Sequence, residues 1–265
     1  MARVRLDSLL LERGLYPSRT RAAAAVLAGD VHLGAGRVRA QKPGQLVPAD
    51  VRIDVAQPPP YVSRGGIKLA NALDALGLEV AGRHAMDVGA STGGFTDCLL
   101  QRGAARVIAL DVAYGELAMA LRADDRVTVI ERVNARAVDA SLLPYAPDLV
   151  VVDVSFISLT KVLPAVLACC APRYDALVMV KPQFEVGRER IGKGGVVSDP
   201  ALRREAIAGV AEAARGLGAS VLGFASSGLP GPAGNRETFL WLGEGGRPGA
   251  VEDLDAAALE VEPGA

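Results

Sequence analysis

Cysteine and histidine are scarce in this sequence, and their scarcity limits the chemistry that it can support. The three cysteines are Cys98, Cys169 and Cys170, none of them in a C-x-x-C pair, and the two histidines are His32 and His84. Metal sites in proteins draw on clusters of such ligands, so we expect no metal site. Adjacent cysteines are poorly suited to an ordinary disulfide, and the sequence therefore favours a reduced, cytoplasmic protein.

Long hydrophobic runs are also lacking. A membrane-spanning helix needs about 18 or more consecutive apolar residues. The apolar run over 162–171 is shorter than that and contains Pro164. The first ten residues, MARVRLDSLL, are charged and lack the apolar core of a signal peptide. We therefore expect neither a membrane partner nor secretion.

Charge is distributed unevenly along the 265 residues. Residues 1–60 hold nine Lys and Arg against five Asp and Glu, a net of +4, whereas the whole chain carries −1 and the remainder therefore −5. A chain of this length suits roughly two domains. A basic N-terminal segment (residues 1–60, here called the basic head) followed by an acidic remainder indicates a domain that contacts nucleic acid. An ordinary solvated charged surface is the alternative.

The basic head has the pattern of a small α+β module, which we place at residues 1–59. Spaced leucines over 6–15 predict a helix, and Ser18 can cap a second one that ends near Gly29. Alternating apolar residues over 31–38 predict a hairpin, and 51–55 predict a closing strand. Without an aromatic platform, recognition of structured RNA through its phosphates is favoured over base stacking. The candidate contacts are Arg5, Arg13, Arg19, Arg21, Arg37, Arg39 and Lys42.

Residues 57–60, Gln-Pro-Pro-Pro, predict a stiff linker, followed by a leading helix within residues 60–82. Strands and helices then alternate through a third region, 83–245, and residues 246–265 form a tail that we expect to fray. The predicted strands are 85–88, 106–112, 127–130, 149–154, 176–180, 220–225 and 238–242, and the predicted helices are 94–102, 116–121, 158–170 and 200–217.

These strands are apolar on both faces, as in a parallel sheet covered by helices. The loop between the last two strands is too short for a crossover helix, so they must pair antiparallel. The sequence thus predicts an α/β fold of the Rossmann-like class I methyltransferase type, with seven strands and the last one antiparallel, by analogy of fold.

The stretch His84–Phe95, HAMDVGASTGGF, predicts a strand, a glycine turn and the start of a helix. Its G-x-x-x-G-G spacing is neither the G-x-G-x-x-G of dinucleotide enzymes nor a Walker loop. Because helix N-termini at such turns offer unpaired N–H groups, we expect a nucleoside-type cofactor here, with Asp87 as an acceptor. The alternative is a tight turn without a ligand.

Four charged residues fall at or beside strand ends, where parallel sheets bind their ligands. Asp111 stands 22 residues after Gly89 and can hold the two hydroxyls of a ribose. The others are Asp153, Lys181 and Glu237. An Asp and a Lys that each follow an apolar run are hard to explain by packing, although a salt bridge capping the sheet is the alternative. Lys68, in the leading helix, could equally be solvated.

Two sets of short sequence motifs resemble known families. RLDSLLLERGL at 5–15, SRTRA at 18–22, AGDV at 28–31 and KPGQLV at 42–47 resemble the S4 RNA-binding domain, with Gly34 and Gly36 where that family usually has an Asn-Gly turn. SRGGIKL at 63–69, DVGASTGGFTDCLL at 87–100, DVSFISL at 153–159 and KPQFEVGRERIGKGGVV at 181–197 are similar to the TlyA family. That family joins an S4 domain to an FtsJ-like methyltransferase and was first labelled haemolysin.

The resemblance implies a ribose 2′-O-methyltransferase that uses S-adenosyl-L-methionine on cytidine of ribosomal RNA. Lys68, Asp153, Lys181 and Glu237 match the Lys-Asp-Lys-Glu tetrad of the FtsJ type. Lys181 would be the general base or would position the hydroxyl, Asp153 would lie beside the methyl group, and Lys68 with Glu237 would support them. A lysine acts as a base only when its pKa lies well below about 10.4, and a second cation nearby favours that.

The expected cofactor residues are Asp87, Gly89, Ser91, Thr92, Gly93, Gly94, Phe95, Asp111, Val112, Asn134 and Ala135. Asn134 could also be a plain turn residue. Further RNA contacts are expected at Arg64, Arg188 and Lys193, and residues 186–198 could form a mobile loop that closes over RNA or an ordinary long loop. We expect ribosomal RNA or ribosomal subunits as partners and favour a monomer.

Three other functions fit parts of the sequence less well. An S4-type RNA-binding protein that keeps a methyltransferase fold as a scaffold does not account for two lysines held in one place. A secreted haemolysin is disfavoured by the missing signal and span. A dehydrogenase is disfavoured by the glycine spacing and the terminal hairpin.

Overall fold

The computed structural model describes residues 3–55 and 59–262. The chain divides into two compact units, Met1–Pro59 and Pro60–Ala265. Of the predicted linker, Gln57 and Pro58 lie outside the described residues. Each unit is built around its own hydrophobic core and is described by itself.

The N-terminal unit packs two helices against short strands. Leu6, Leu10 and Val31 are fully buried in its core. The Ser18 hydroxyl accepts a hydrogen bond from the Arg21 N–H at 3.2 Å, and Gly29, with φ 92°, ends the second helix, as predicted. The hairpin of β2 and β3 also forms. The elements are β1 (Arg3–Arg5), α1 (Leu6–Glu12), α2 (Arg19–Ala28), β2 (Val31–Leu33), β3 (Val38–Arg39), β4 (Leu46–Pro48) and β5 (Ile53–Val55).

The C-terminal unit is built on one seven-stranded sheet. Its strands are β6 (His84–Val88), β7 (Arg106–Leu110), β8 (Val127–Ile130), β9 (Leu149–Val152), β10 (Asp175–Val180), β11 (Ser220–Ser226) and β12 (Thr238–Gly243). They lie in the order β11-β12-β10-β9-β6-β7-β8. Strand β12 is antiparallel to both of its neighbours, while β10, β9, β6, β7 and β8 run parallel. The predicted methyltransferase-type sheet is confirmed.

Helices cover both faces of this sheet. They are α3 (Arg64–Leu76), α4 (Gly94–Gln101), α5 (Met119–Arg122), α6 (Leu163–Ala168), α7 (Pro182–Glu185), α8 (Pro200–Gly216) and α9 (Leu254–Val261). Side chains of α3 and α4 pack with Leu149 and Val151 on one face, whereas those of α6, α8 and α9 pack with Val150 and Val152 on the other. This arrangement explains why β9, in the middle of the sheet, is apolar at every position.

Two predicted helices are shorter than expected. The segment 116–121 is helical only as α5, and 158–170 divides into a 3₁₀ turn, Leu159–Lys161, followed by α6. Pro164 explains the break, because proline lacks an N–H and is accepted only in the first turn of a helix. The strands predicted to end at Val112 and Val154 stop at Leu110 and Val152.

The prediction that the tail frays is wrong. Helix α9 packs on α8, with Leu254 and Ala258 buried, and Asp253 caps it by accepting the Ala256 N–H at 2.9 Å. Just after it, the buried carboxylate of Glu262 accepts a hydrogen bond from Arg203 at 2.6 Å. Two apolar residues four apart behind an aspartate cap are a helix signal that the Gly-rich composition concealed.

Across residues 3–55 and 59–262, every helix is too short or too polar to cross a membrane.

Candidate active site

The site lies at the topological switch point of the sheet, between β6 and β9, where the strand order reverses. From β6 the chain proceeds to β7 on one side, and β9 pairs with β6 on the other. Gly89 follows β6 with φ 88°, and a Cβ placed on it would lie 2.3 Å from the carbonyl oxygen of Asp153. Only glycine allows the ends of these two strands to approach so closely. A cleft opens at this edge, as expected for an open α/β sheet.

The starts of α3 and α4 meet beside that turn. A Cβ on Gly94 would lie 2.1 Å from Ser63 Oγ, the capping hydroxyl of α3. Gly93 has φ 97°, and a Cβ there would meet Leu121 at 2.3 Å. The glycines of the turn therefore bring Lys68, one turn into α3, close to the strand ends.

The cleft has two adjoining halves, which share a wall that includes Gly89, Asp153 and Phe156. One has a volume of about 790 Å³ and is called the lysine half, because it is lined by Lys68 and Lys181. The other, about 940 Å³, is lined by Asp111 and is called the Asp111 half. A cleft of this size has room for two bound groups, each about as large as a nucleoside.

The lysine half holds two pairs of opposite charges. Lys68 Nζ pairs with Glu237 Oε2, and the two residues are 6% and 2% exposed. Lys181 Nζ lies 2.5 Å from Asp153 Oδ1 and is also buried. The alternative of a solvated Lys68 is therefore wrong. Buried charges are tolerated in proteins when they are paired, as these are.

Four distant segments supply these four residues. Lys68 lies in α3, Asp153 follows β9, Lys181 follows β10 and Glu237 precedes β12. Because β9, β10 and β12 are neighbours and β12 runs in the opposite direction, its start lies at the edge where the other two end. The alternative interpretation of these charges was a salt bridge that caps the end of the sheet. Salt bridges do form here, but their side chains line an open cleft.

Asp87 lies beneath the glycine turn and lines neither half of the cleft. Its Oδ2 accepts hydrogen bonds from the N–H of Thr96 at 2.9 Å and the hydroxyl of Thr96 at 2.7 Å. Burial raises the pKa of Asp87 to about 7. This carboxyl supports the first turn of α4 through Oδ2, while Oδ1 has no hydrogen-bond partner among the described residues, so its role as an acceptor for a ligand stays a prediction.

The raised pKa of Asp87 makes the stability of the unit depend on pH. The ordinary pKa of an aspartate is about 3.9, so the folded state holds this proton more tightly than the unfolded state does. Stability is therefore lost as the pH rises from about 4 to 7. In Asp87→Asn, chemical unfolding should show a smaller loss over that range. Substitution of the exposed Asp125 by asparagine is the control and should retain the wild-type slope; an unchanged slope in Asp87→Asn would contradict the assignment.

Asp111 has the position expected of a ribose ligand. Its two oxygens accept the N–H groups of Ser91 at 2.7 Å and Ala113 at 2.8 Å, and this holds the carboxylate at the wall of the Asp111 half. Val112, Asn134 and Ala135 line the same half. Asn134 also acts as a turn residue, because its side chain accepts the Arg136 N–H at 3.0 Å.

The other expected cofactor residues line one or both halves, except Gly93, which lines neither. Ser91 lines both of them, whereas Thr92, Gly94 and Phe95 line the lysine half. The ring of Phe95 is almost fully buried against Phe239, with a centroid distance of 5.8 Å. Phe95 therefore contributes its edge to the cleft and most of its surface to the core.

Sequence reasoning missed several residues on the shared wall, among them Ser155, Phe156 and Gln183. Phe156 is 91% exposed, has φ 63° and stacks at 5.3 Å on Phe184. An exposed aromatic ring held in a left-handed backbone conformation is costly and is typical of functional sites. The signal was present, since each residue follows a strand-end charge within the words DVSF and KPQF.

The segment 186–198 is anchored at several points. Val186 and Val197 are buried, and Arg190 pairs with Glu205 at 2.6 Å. Asn235, 1% exposed, accepts the N–H of Val197 at 2.9 Å and donates to the carbonyl of Gly195 at 2.8 Å. No sequence motif predicted this contact between the loop and the residues that precede Glu237. Closure of the loop over RNA stays a prediction.

Several arginines expected to bind RNA have contacts within the N-terminal unit. Arg5 and Arg19 both pair with the buried Asp7, at 2.8 and 3.2 Å. The hydrogen bond from Arg5 and the charge of Arg19 hold the pKa of Asp7 well below its usual range. Arg13 donates to the carbonyls of Val51 and Ala49, and Arg39 donates to that of Ala28. Each of these arginines thus supports the fold of the unit, whatever it binds.

The remaining candidates for RNA contacts are exposed. In the N-terminal unit they are Arg21, Arg37 and Lys42. In the C-terminal unit Arg64 lines the lysine half, Arg188 lines the Asp111 half and Lys193 lies within the anchored segment 186–198.

Comparison with known proteins identifies the family. The FtsJ-like methyltransferase family matches residues 61–244. The 16S/23S rRNA (cytidine-2′-O)-methyltransferase TlyA of Mycobacterium tuberculosis is 48% identical over 242 residues, which cover 91% of this chain and 90% of the relative. The chain belongs to the TlyA family of FtsJ-like methyltransferases. YqxC of Bacillus subtilis, which is named as an rRNA methyltransferase, is 42% identical over 246 residues. The aligned residues cover 91% of this chain and 87% of YqxC.

A solved structure shares the whole TlyA-type architecture. A protein of Streptococcus thermophilus that carries the name hemolysin superposes with a TM-score of 0.73 at 35% identity, over 98% of this chain and 96% of its own. The match extends across both units, so the combination of a small N-terminal unit with the larger α/β unit is shared with that protein.

Proposed function

We propose that this chain transfers a methyl group from S-adenosyl-L-methionine to the 2′-hydroxyl of a cytidine ribose in ribosomal RNA. One observation carries the proposal: two lysine–carboxylate pairs from four distant segments, in which only Asp153 is partly exposed, line a cleft that continues into a half suited to a nucleoside. The names of the TlyA relatives support the RNA substrate and the cytidine.

The residues of the cleft fit the cofactor. The carboxylate of Asp111 would hold the ribose hydroxyls, and Val112, Asn134 and Ala135 would surround the adenine. The glycine turn, where a Cβ on Gly89 has no room, together with Ser91, Thr92, Gly94 and Phe95, would receive the methionine portion. When bound, S-adenosylmethionine supplies an activated methyl group, and the protein's own task is to place and deprotonate a weakly acidic hydroxyl.

Lys181 is the group that receives or orients the ribose hydroxyl. Its amine lies on the wall of the lysine half beside Asp153, which belongs to both halves and therefore lies next to the place where methyl group and hydroxyl meet. Lys68 adds a second positive charge to the same cavity, and Glu237 balances it. General acid–base assistance of this kind accounts for roughly 10²–10⁴ in rate.

The N-terminal unit would bind the RNA as an S4-type domain. Its net positive charge and exposed Arg21, Arg37 and Lys42 suit phosphate contacts, while Arg64, Arg188 and Lys193 would contact RNA beside the cleft. Phe156 would offer a stacking surface to a base extruded from the RNA.

Incorporation of tritiated methyl groups into ribosomal subunits tests the proposed function. Purified protein with labelled cofactor should label ribosomal RNA at 2′-O positions of cytidine, as mapped by resistance to alkaline cleavage. RNA that is bound but never labelled would favour a non-catalytic RNA-binding protein, and label on uridine or on a base would contradict the assigned chemistry.

Substitution of Asp111 tests the assignment of the cofactor. Asp111→Ala removes a charged acceptor for two hydroxyls, and each such hydrogen bond contributes about 1.5–3 kcal/mol. We therefore expect the dissociation constant for S-adenosylmethionine, measured by calorimetry, to rise roughly 10²-fold or more. Asp111→Asn, which keeps one acceptor oxygen, should lie in between, and alanine at the exposed Asp125 should change nothing. An unchanged constant in Asp111→Ala would exclude Asp111 as a ligand.

A further inference from the structure

Lys181 has a second neighbour besides Asp153. Its Nζ donates a hydrogen bond to the hydroxyl of Ser155 at 2.9 Å, while Asp153 Oδ1 lies 2.5 Å away. Ser155 stands two residues after Asp153, is exposed, and lines both halves of the cleft. The amine is therefore held from two directions by a single short loop.

This loop, residues 153–159, contacts residues 181–185 at several points. At the far end Glu185 accepts the hydroxyl of Ser158 at 2.6 Å and the N–H of Leu159 at 2.9 Å. In the middle, the rings of Phe156 and Phe184 are in contact. The same two segments that carry Asp153 and Lys181 thus bind each other at three places, which fixes the position of Ser155 relative to the amine.

The backbone supports the same conclusion. Phe156 adopts φ 63°, a conformation that is unfavourable for a residue with a side chain, directly after Ser155. Surrounding contacts must maintain such strain, and strained residues concentrate where a side chain has to be aimed. Here the turn directs Ser155 towards Lys181 and leaves the Phe156 ring exposed.

We propose that Ser155 is a positioning residue for Lys181, an inference that rests on the proposed function. The Ser155 hydroxyl accepts one N–H of Lys181, and the Asp153 carboxylate lies beside the same amine, so these two side chains fix where the amine stands on the wall of the open cleft. In the proposed reaction the lone pair of this amine accepts the proton of the ribose 2′-hydroxyl: the O–H bond breaks, an N–H bond forms, and the oxygen keeps the electron pair with which it attacks.

Without the serine hydroxyl, the amine can rotate about its Cε–Nζ bond. The proton acceptor is then correctly directed for only part of the time, although the shape of the cleft is unchanged. Misplacement of a reacting group by about 1 Å can cost about 10²-fold in rate. The loss should fall on kcat, because the hydroxyl of Ser155 contributes to proton transfer and not to the affinity for RNA or cofactor.

Kinetics of Ser155→Ala and Ser155→Thr with ribosomal subunits test this role. We expect kcat of the alanine variant to fall by about 10- to 100-fold, with KM for the subunits within about twofold of wild type. Calorimetry should give an unchanged dissociation constant for S-adenosylhomocysteine. The threonine variant, which restores the hydroxyl, should recover most of kcat. Alanine at Ser141, an exposed serine distant from the cleft lining, is the matched control.

The outcomes separate this inference from the function on which it rests. Wild-type kcat in Ser155→Ala, or threonine as inactive as alanine, would overturn the role of Ser155 and leave the methyltransferase assignment intact. A rise in KM or in the dissociation constant that accounts for the whole loss would assign Ser155 to binding and also overturn the inference. A wild-type protein that labels no ribosomal RNA would instead overturn the proposed function itself.

Discussion

Replacement of Lys181 by alanine should reduce methyl incorporation into ribosomal RNA by about 10²–10⁴-fold, because the amine is the group placed to take the hydroxyl proton. Binding of S-adenosylmethionine should survive, since the residues assigned to its nucleoside portion lie in the Asp111 half. Single-turnover methylation together with calorimetry measures both quantities on the same preparation.

The arginine variant distinguishes two roles for this residue. Lys181→Arg keeps a positive charge and hydrogen-bond donors, but a guanidinium is not deprotonated in proteins and cannot accept the proton. An arginine variant as inactive as the alanine variant assigns Lys181 as the base. Substantial activity with arginine would instead assign it to orienting the hydroxyl, and full activity with alanine would exclude both roles.

The pair of Lys68 and Glu237 gives the largest expected effect on stability. Both side chains are almost fully buried, so removal of either one leaves an uncompensated charge inside the protein. Breaking a buried pair in this way costs about 3–5 kcal/mol. We expect Glu237→Leu to lower the free energy of unfolding, measured in urea, by that amount, and Lys68→Met to lower it to a similar degree.

Combining the two substitutions separates folding from chemistry. Because an apolar pair of similar volume avoids the cost of burying charges, Lys68→Met/Glu237→Leu should recover much of the stability that either single variant loses. The double variant should nevertheless remain inactive, since the second positive charge beside Lys181 is gone. Activity in the stable double variant would show that this pair is only structural.

The sequence allowed much of the fold to be predicted because its patterns were local. Apolar runs located all seven strands of the sheet, and the short loop before Glu237 required the antiparallel β12. The helix predictions were wrong where the local apolar pattern was weak or where a proline interrupted it. Pro164 interrupted a predicted helix, and α9 was missed because its few apolar residues gain their stability from packing on α8.

The candidate site could be predicted as a set of residues but not as a set of contacts. Strand-end charges and the glycine turn pointed to Asp111, Asp153 and Lys181. The family resemblance named Lys68 and Glu237 together, but the direct ion pair between them depends on how α3 crosses the sheet, which no short motif specifies. The structural role of Asp87 was missed for a related reason, because only the packed structure shows that Thr96 donates to one of its oxygens.

The antiparallel course of β12 also affects the order in which the protein can become active. This strand enters the sheet between β10 and β11 and delivers Glu237, although it follows both of them in the chain. A nascent chain that stops before residue 237 would leave the apolar edge of β10 unpaired and prone to association. The cleft is therefore completed only after residues 238–243 have paired with β10, so the geometry of the site depends on the insertion of this one strand into a sheet that has already begun to form.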